Sequence, residues 1–352
     1  MKGCQCDILV VGAGPAGTAA ALSAASKGVR VLLVERKAVV GIPVRCAEYI
    51  PGPLPGELNL GRDFVVQGVK GMRTILPSGR EKVTMTPGWM IRRDLFDQAV
   101  CRAAQEAGAE VLLGTRVIER VGEAVLLRRP DGSLWEQKCG IIIGADGPHS
   151  TVGRWIGSVN SDLIPALQVR VPLVRPLDFT EVYIDRMFYG GYGWLFPKGP
   201  EANVGLGMKS RENGAGLREA LSRLLVRLEA EGRIRRSPFK WTAGWIPVSP
   251  VRGIVKDNVL LAGDAAGHTH PITGSGVFQA VTAGRMAGRW SAKAVMEGNL
   301  SLLHGYEEEW KDLFEETHER GFRRRQFMEQ EWERLEEVIP SCWVAFREYY
   351  KD

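Results

Sequence analysis

The sequence predicts an α/β protein, and three observations predict it. A short apolar run, a glycine-rich turn and an alanine-rich helical stretch open the chain; apolar runs between about 160 and 250 read as a second, sheet-rich region; and the last fifty residues are charged with helical spacing.

Asp7–Val11 reads as a buried strand, Ala16–Lys27 as a helix and Val31–Glu35 as a second buried strand. This is a βαβ unit, whose strands are apolar throughout because helices cover both faces of a parallel sheet. The stretch Ile8 to Ala25 is uncharged and follows Lys2, which also fits a leader or a membrane span. Gly12, Gly14, Pro15 and Gly17 would break such a helix near its start, so strand, turn and helix explain it better. From Gly41 to Pro87, glycine and proline are frequent and periodicity is poor, which predicts loops and short strands. Ile91 to Ala107 returns to helical spacing, with Leu95, Phe96, Ala99, Val100 and Ala103 on one face. Val111–Leu113 and Ile141–Ala145 are strand candidates flanking a hairpin-like stretch that turns at Pro130-Asp131-Gly132. Further strands are expected at Val169–Val174, Glu181–Ile184, Gly193–Phe196, Asn203–Gly207 and Val259–Ala262. Helices are expected at Gly216–Glu231, from the glycine-rich turn after Ala262 through Met296, and over Leu302 to Val338. The chain thus leaves its first domain and returns to it.

The chain has 352 residues, 45% hydrophobic and 25% charged, an ordinary globular composition. A formal charge of +5 on 46 basic and 41 acidic residues gives no nucleic-acid signature. The six cysteines, at 4, 6, 46, 101, 139 and 342, lack C-x-x-C spacing. They read as reduced thiols of a cytoplasmic protein, with no metal site expected; the C-x-C of Cys4 and Cys6 is the nearest approach to one.

Gly12-Ala-Gly14-Pro-Ala-Gly17 carries the first chemistry. Gly12 permits a tight turn, Gly14 lets the backbone approach a pyrophosphate, and Gly17 allows close helix–strand packing. The pyrophosphate then meets free N–H groups at the positive end of the helix. Glu35 ends the next strand, where its carboxylate can accept hydrogen bonds from a ribose, with Arg36 beside it. This is a Rossmann-like dinucleotide-binding pattern, which alone does not choose between FAD and NAD.

Two later segments choose. Ile141-Ile-Ile-Gly-Ala-Asp146-Gly147-Pro-His-Ser150 resembles the "DG" motif of flavoprotein hydroxylases and reductases, and Asn258-Val-Leu-Leu-Ala-Gly263-Asp264-Ala-Ala-Gly267 resembles their "GD" motif. A narrower resemblance is to the geranylgeranyl reductase family, which includes FixC-like proteins. It rests on Gly41-Ile-Pro43-Val-Arg-Cys46-Ala-Glu48, Tyr192-Gly-Trp194-Leu-Phe196-Pro197-Lys198-Gly199, Asn203-Val-Gly-Leu-Gly207 and His268-Thr-His-Pro271-Ile-Thr-Gly274-Ser-Gly276-Val277. It covers roughly residues 5 to 300. Where the family commonly reads Cys-Gly-Glu this chain has Cys46-Ala47-Glu48, and the part after the GD motif is short.

The resemblance implies a Rossmann-like FAD-binding domain with an inserted β-sheet-rich substrate domain and a C-terminal helical tail. Its expected boundaries are 1–160 with 250–300 for the FAD-binding domain, 70–90 and 161–249 for the substrate region, and 301–352 for the tail. It implies FAD contacts at Ala16, Glu35, Cys46, Ala47, Arg93, Val117, Asp146, Asp264, Pro271, Gly276 and Val277. Gly274 and Gly276 leave room for the flavin ring, and backbone N–H groups there can stabilise negative charge on its reduced form. An Arg93 guanidinium can bind the cofactor's polar half; the competing reading is a surface salt bridge, since Arg92 stands beside it.

The activity implied is reduction of carbon–carbon double bonds in an isoprenoid or related lipophilic substrate. Reduced flavin delivers a hydride, and the second carbon needs a proton. Cys46, Glu48, His268 and His270 are the candidate proton donors, against the plain readings of a small buried thiol and solvated histidines. Trp194, with Tyr192 and Phe196, reads as an apolar wall over flavin and substrate or as core packing. An electron carrier of FixC type and a flavin monooxygenase are the alternatives. No second glycine fingerprint has a strand–helix context, Asn213-Gly-Ala-Gly216 lacking the strand, so electrons are expected from transient NAD(P)H, ferredoxin or another flavoprotein. Arg323-Arg324-Arg325, beside Phe322 and Phe327 with Trp310 and Trp332 nearby, suits peripheral membrane contact. The numerous acidic residues there favour a solvated helix that packs its aromatic stripe on the body.

Overall fold

A computed structural model describes residues 6–54, 58, 60–210, 216–235, 240–251 and 253–351. Cys4 and residues 213–215 of the weak second glycine stretch lie outside the described residues. The chain opens with β1 (Cys6–Val11), α1 (Pro15–Ala25) and β2 (Val31–Val34). Next come β3 (Tyr49–Pro51), β4 (Val65–Val69), β5 (Gly71–Ile75), β6 (Glu81–Thr84), β7 (Gly88–Ile91) and α2 (Arg93–Glu106). The hairpin region holds β8 (Glu110–Leu112), β9 (Arg116–Val121), β10 (Ala124–Arg128) and β11 (Leu134–Gly144), followed by α3 (Thr151–Trp155).

The central sheet has the order β17-β18-β11-β1-β2-β8, where β17 (Val255–Lys256) and β18 (Val259–Leu261) come from late in the chain. β1 pairs in parallel with β2 (Ile8↔Val31) and with β11 (Ile8↔Ile141), and β11 pairs in parallel with β18 (Ile142↔Val259). Ile8, Leu9, Val10, Leu33, Ile143, Val259 and Leu260 are fully buried, which is why these strands read as unbroken apolar runs. β11 is longer than the expected Ile141–Ala145. Its first half pairs antiparallel with β10 across the turn, where the Ser133 N–H donates to Asp131 Oδ1, and its second half enters the central sheet.

A second sheet of seven strands has the order β16-β12-β15-β14-β13-β5-β6. Its later strands are β12 (Leu163–Pro172), β13 (Phe179–Tyr183), β14 (Tyr192–Lys198), β15 (Glu201–Gly207) and β16 (Thr242–Pro247). The parallel pairing of β13 with β5 ties the early segment at 71–75 into this sheet. One face is covered by α4 (Leu217–Ala230), whose Leu221, Leu224, Leu225 and Leu228 pack with Val169, Leu195, Val204 and Leu206. β3, β7 and β4 form a third, small sheet.

After α5 (Val277–Glu297), α6 (His304–Gln330) and α7 (Leu335–Cys342) form the tail, and Met328, Trp332, Leu335 and Trp343 pack against Val182, Ile184 and Ile272. Trp310 and Trp332 are buried, as is Arg325, which donates from Nη1 to the Pro271 carbonyl at 2.8 Å and from Nη2 to the Gly190 carbonyl. The Arg323–Arg325 run is therefore no continuous basic face. The tail turns its tryptophans onto the body. Among the described residues no helix is long and apolar enough to cross a membrane.

Candidate functional site

The site begins at the glycine turn. Gly12 has φ +98°, and a Cβ there would lie 2.5 Å from the Ala145 carbonyl oxygen, while one on Gly17 would lie 1.8 Å from the Gly12 oxygen. A Cβ on Gly14 would meet nothing within 4 Å. Gly12 and Gly17 are thus required by packing, whereas Gly14 faces open space at the start of α1. α1 has no side-chain cap and no acidic residue in its first turn, so its positive end stays available to an anion. Glu35 is buried; its carboxylate accepts from the Ala13 N–H at 2.8 Å and from the Lys37 N–H at 2.9 Å. Arg36 projects into solvent, and Val117 is buried on β9, two residues beyond the Thr115 N–H that donates to the Glu35 carbonyl.

A polar cleft joins these parts, lined by Ala13, Gly14, Glu35, Lys37, Gly41, Pro43, Val44, Arg45, Arg93 and Asp97. Arg93 is not a surface salt bridge. Its guanidinium is mostly buried, paired with Asp97 at 2.8 Å and set beside the Cys46 thiol, whereas Arg92 makes the exposed pair with Asp94.

α5 supplies a second open helix end. Ala16 and Ala20 of α1 face Gly284 and Gly288 of α5, so the two helices run parallel with both N-termini toward the same side. A Cβ on Gly284 would lie 2.1 Å from the Ala16 oxygen and one on Gly288 2.3 Å from the Ala20 oxygen, so this contact exists only because both residues are glycine. From this register the α5 N-terminus reaches about 9 Å beyond that of α1. Gly276 caps α5 without a side-chain bond, Val277 is its first residue, and Asp264 Oδ1 is 3.5 Å from where a Gly276 Cβ would sit. Burial raises the Asp264 carboxyl above the usual range, against a hydrogen bond from Thr269. Ser150 caps α3, and Asp146 supports it, accepting from Ser150 Oγ at 2.5 Å and the Thr151 N–H at 2.6 Å. Two staggered helix ends, a glycine with open space before it and a cleft with Glu35 and Arg93 fit an elongated dinucleotide such as FAD. Ala13, Gly14, Glu35, Lys37, Arg45 and Arg93 would hold its polar half, and Asp264, Gly274 (φ +63°), Gly276 and Val277 its other end.

Cys46-Ala47-Glu48 is clamped by the second sheet. Gln168 Nε2 donates to the Cys46 carbonyl at 2.8 Å, and Asn203 Nδ2 donates to the Ala47 carbonyl at 3.1 Å and to Glu48 Oε2 at 3.0 Å. Glu48 is fully buried at φ 70°, with Oε1 accepting from the Arg93 N–H and Oε2 also from Arg170 Nη2 and Lys198 Nζ. Four donors from α2, β12, β14 and β15 thus converge on one carboxylate. Both of its oxygens accept hydrogen bonds, which tie the 46–48 segment to α2 and to the second sheet. Cys46 Sγ accepts from the Glu48 N–H at 3.2 Å. Burial pushes its thiol above the ordinary range, with Arg93 opposing.

The two loop histidines lie in the interior and are not the solvated rings of the plain reading. His268 is buried, stacked on Trp310 with ring centroids 3.5 Å apart, and held well below the ordinary imidazole value by burial and by His318. His270 Nδ1 accepts from the Ile272 and Thr273 N–H groups, and Nε2 meets Tyr349 Oη at 3.2 Å. Burial, then His318, lowers it to about 3. Both are neutral, buried rings that tie the 268–277 loop to the tail, and Pro271 is held there by Arg325.

Tyr192, Trp194 and Phe196 alternate on one face of β14. Ring contacts run from Tyr49 through Phe196 (6.3 Å), Trp194 (6.4 Å) and Tyr192 (6.0 Å) to Trp343 (5.1 Å). Tyr192 Oη donates to the Thr273 carbonyl, which joins this wall to the 268–277 loop. Gln168, Arg170, Lys198 and Tyr49 were missed as site residues by sequence reasoning. An inward-facing charge on an otherwise apolar strand, Lys198 after Phe196-Pro197, was the available signal.

Residues 7–125 match the family profile of the FAD dependent oxidoreductases. Over 331 residues the chain is 35% identical to a digeranylgeranylglycerophospholipid reductase of Methanothrix thermoacetophila, covering 88% of this chain and 83% of that one. Over 323 residues it is 32% identical to the Methanococcus vannielii protein of the same name, covering 87% and 82%. Its fold matches the crystal structure of a geranylgeranyl bacteriochlorophyll reductase-like protein from Thermoplasma acidophilum with a TM-score of 0.86 at 27% identity, covering 97% of this chain and 92% of that one.

Proposed function

Because the chain belongs to the geranylgeranyl reductase family of FAD-dependent oxidoreductases, we infer that it reduces carbon–carbon double bonds in the isoprenoid part of a lipid. The observation that carries this reading is the half-buried Cys46 thiol, with the Glu48 N–H and the Arg93 guanidinium already beside its sulfur and desolvation holding it above the ordinary thiol range. When bound and reduced, FAD supplies a hydride to one alkene carbon. The other carbon takes its proton from Cys46: the S–H bond breaks, a C–H bond forms, and the thiolate left behind is stabilised by those same two donors until solvent restores the proton.

The Glu48 clamp holds the thiol in place, and the half-buried rings of Tyr49, Phe196 and Tyr192, backed by the buried Trp194 and Trp343, offer an isoprenoid an apolar face that excludes water. In this reading residues 1–160 with 250–300 hold the cofactor, 70–90 with 161–249 present the wall, and 301–352 brace the 268–277 loop. Electrons arrive from outside the chain, from NAD(P)H bound transiently, a ferredoxin or another flavoprotein.

Cys46→Ala should retain FAD and slow reoxidation of the reduced protein by a geranylgeranyl lipid about 10²-fold. The wild-type rate should hold level through neutral pH and fall only on the alkaline side, because a raised thiol keeps its proton longer. A Cys46→Ala protein reoxidised at the wild-type rate would remove the thiol from the chemistry.

A further inference from the structure

Three segments meet at the mouth of the cofactor cleft: residues 36–45, 147–158 and 240–249. Gly41, Pro43, Val44 and Arg45 line the cleft itself. A Cβ on Gly244 would lie 3.7 Å from Arg45 Cβ, and the Trp245 and His149 rings are 5.6 Å apart edge to face. None of the three segments contains an aspartate or a glutamate, while together they carry Arg36, Lys37, Arg45, Arg154 and Lys240. Arg36, Arg45, Arg154 and Lys240 are exposed.

The same rim exposes large apolar side chains: Val39 is 46% exposed, Ile42 48%, Trp241 39% and Trp245 48%. The two tryptophans share a cause. β16 is the edge strand of its sheet, and its side chains alternate between Thr242, Gly244 and Ile246 facing inward and Ala243 and Trp245 facing out, with Trp241 on the outward register. Four residues apart, they stand about 13 Å from one another along the rim.

We propose that this rim is a docking surface for an anionic lipid bilayer. Tryptophans seat at the headgroup level, where an apolar ring and a polar N–H are both satisfied, and exposed basic residues are drawn to anionic headgroups. Val39 and Ile42, on the loop that lines the cleft, enter the outer acyl region. In the tail, by contrast, the tryptophans Trp310 and Trp332 face the core. The proposal rests on the lipid reading for its purpose and on the rim alone for its geometry.

The test uses the full-length holoprotein with vesicles of phosphatidylcholine alone or mixed with phosphatidylglycerol. Binding to the anionic vesicles should be at least about tenfold stronger and weaken with salt. Lipids brominated near the headgroup should quench tryptophan fluorescence. The Trp241→Ser/Trp245→Ser protein should lose about tenfold in binding and most of that quenching, yet reduce detergent-dispersed substrate at the wild-type rate. Lys240→Glu, a fully surface change, should lower anionic-vesicle binding on its own and serves if the double variant fails to fold. Equal binding to both vesicles, no binding, or variants that bind as wild type would overturn the proposal. So would an acidic ferredoxin whose binding is lost in the double variant while vesicle binding is unchanged. Vesicle binding without reduction of the embedded lipid keeps the rim and removes the substrate reading; reduction in detergent without vesicle binding does the reverse.

Discussion

Cys46 and Glu48 stand two residues apart and look equally able to give a proton when read as letters. The fold separates them by what reaches each one. Glu48 receives donors from Arg93, Arg170, Lys198 and Asn203, of which only Arg93 lies within 100 residues of it, so nothing local in the sequence announces the clamp. The histidines differ for the same reason: their neighbours His318 and Tyr349 come from the tail. Burial holds His270 to about 3 and His318 to about 4, and His268 well below the ordinary value. As pH falls below about 6.5, the unfolded chain takes up protons that the folded chain refuses. The stability present above that pH is therefore lost progressively toward pH 4. Urea unfolding at neutral pH and near pH 4 should show this loss, and His318→Phe should reduce it. A His318→Phe protein with the full acid loss would mean the cluster does not set it.

At the scale of elements, β1, α1 and β2 are legible because a parallel strand buried on both faces leaves an unbroken apolar run, and the glycines mark the turn between them. β11 is not legible as one strand, since its first half alternates for a hairpin and its second is continuously apolar for the central sheet. The α1–α5 contact was visible only in part: Ala280, Gly284, Gly288 and Ala292 repeat small residues every four positions, but nothing in that spacing names α1 as the partner. Two glycine variants test this contact against the open position of Gly14. Gly284→Ala forces a methyl group to within 2.1 Å of the Ala16 oxygen, and should cost about 2 kcal/mol of stability along with bound FAD. Gly14→Ala meets no protein atom within 4 Å and should fold normally while losing FAD, read as the ratio of flavin to protein absorbance. If Gly14→Ala kept its FAD, the pyrophosphate would not lie where α1 begins.

For the molecule as a whole, the FAD-dependent oxidoreductase fold was readable from three short motifs in the right order, because each answers a demand of the cofactor and not of one protein's packing. What the motifs could not convey is how a tail with no motif of its own braces the 268–277 loop, through Trp310, Arg325 and Tyr349. Those contacts depend on which helix face meets the body, and a charged amphipathic helix reads much the same on any body. The central claim is that the reduced protein passes its electrons to an alkene. The most direct measurement is anaerobic: reduce the holoprotein, mix it with a geranylgeranyl lipid, and follow flavin reoxidation together with product mass. Reoxidation without oxygen, with a gain of about two mass units for each bond reduced, one hydride and one proton, is the expected result. A flavin that stays reduced until oxygen or a redox protein is added would contradict the account.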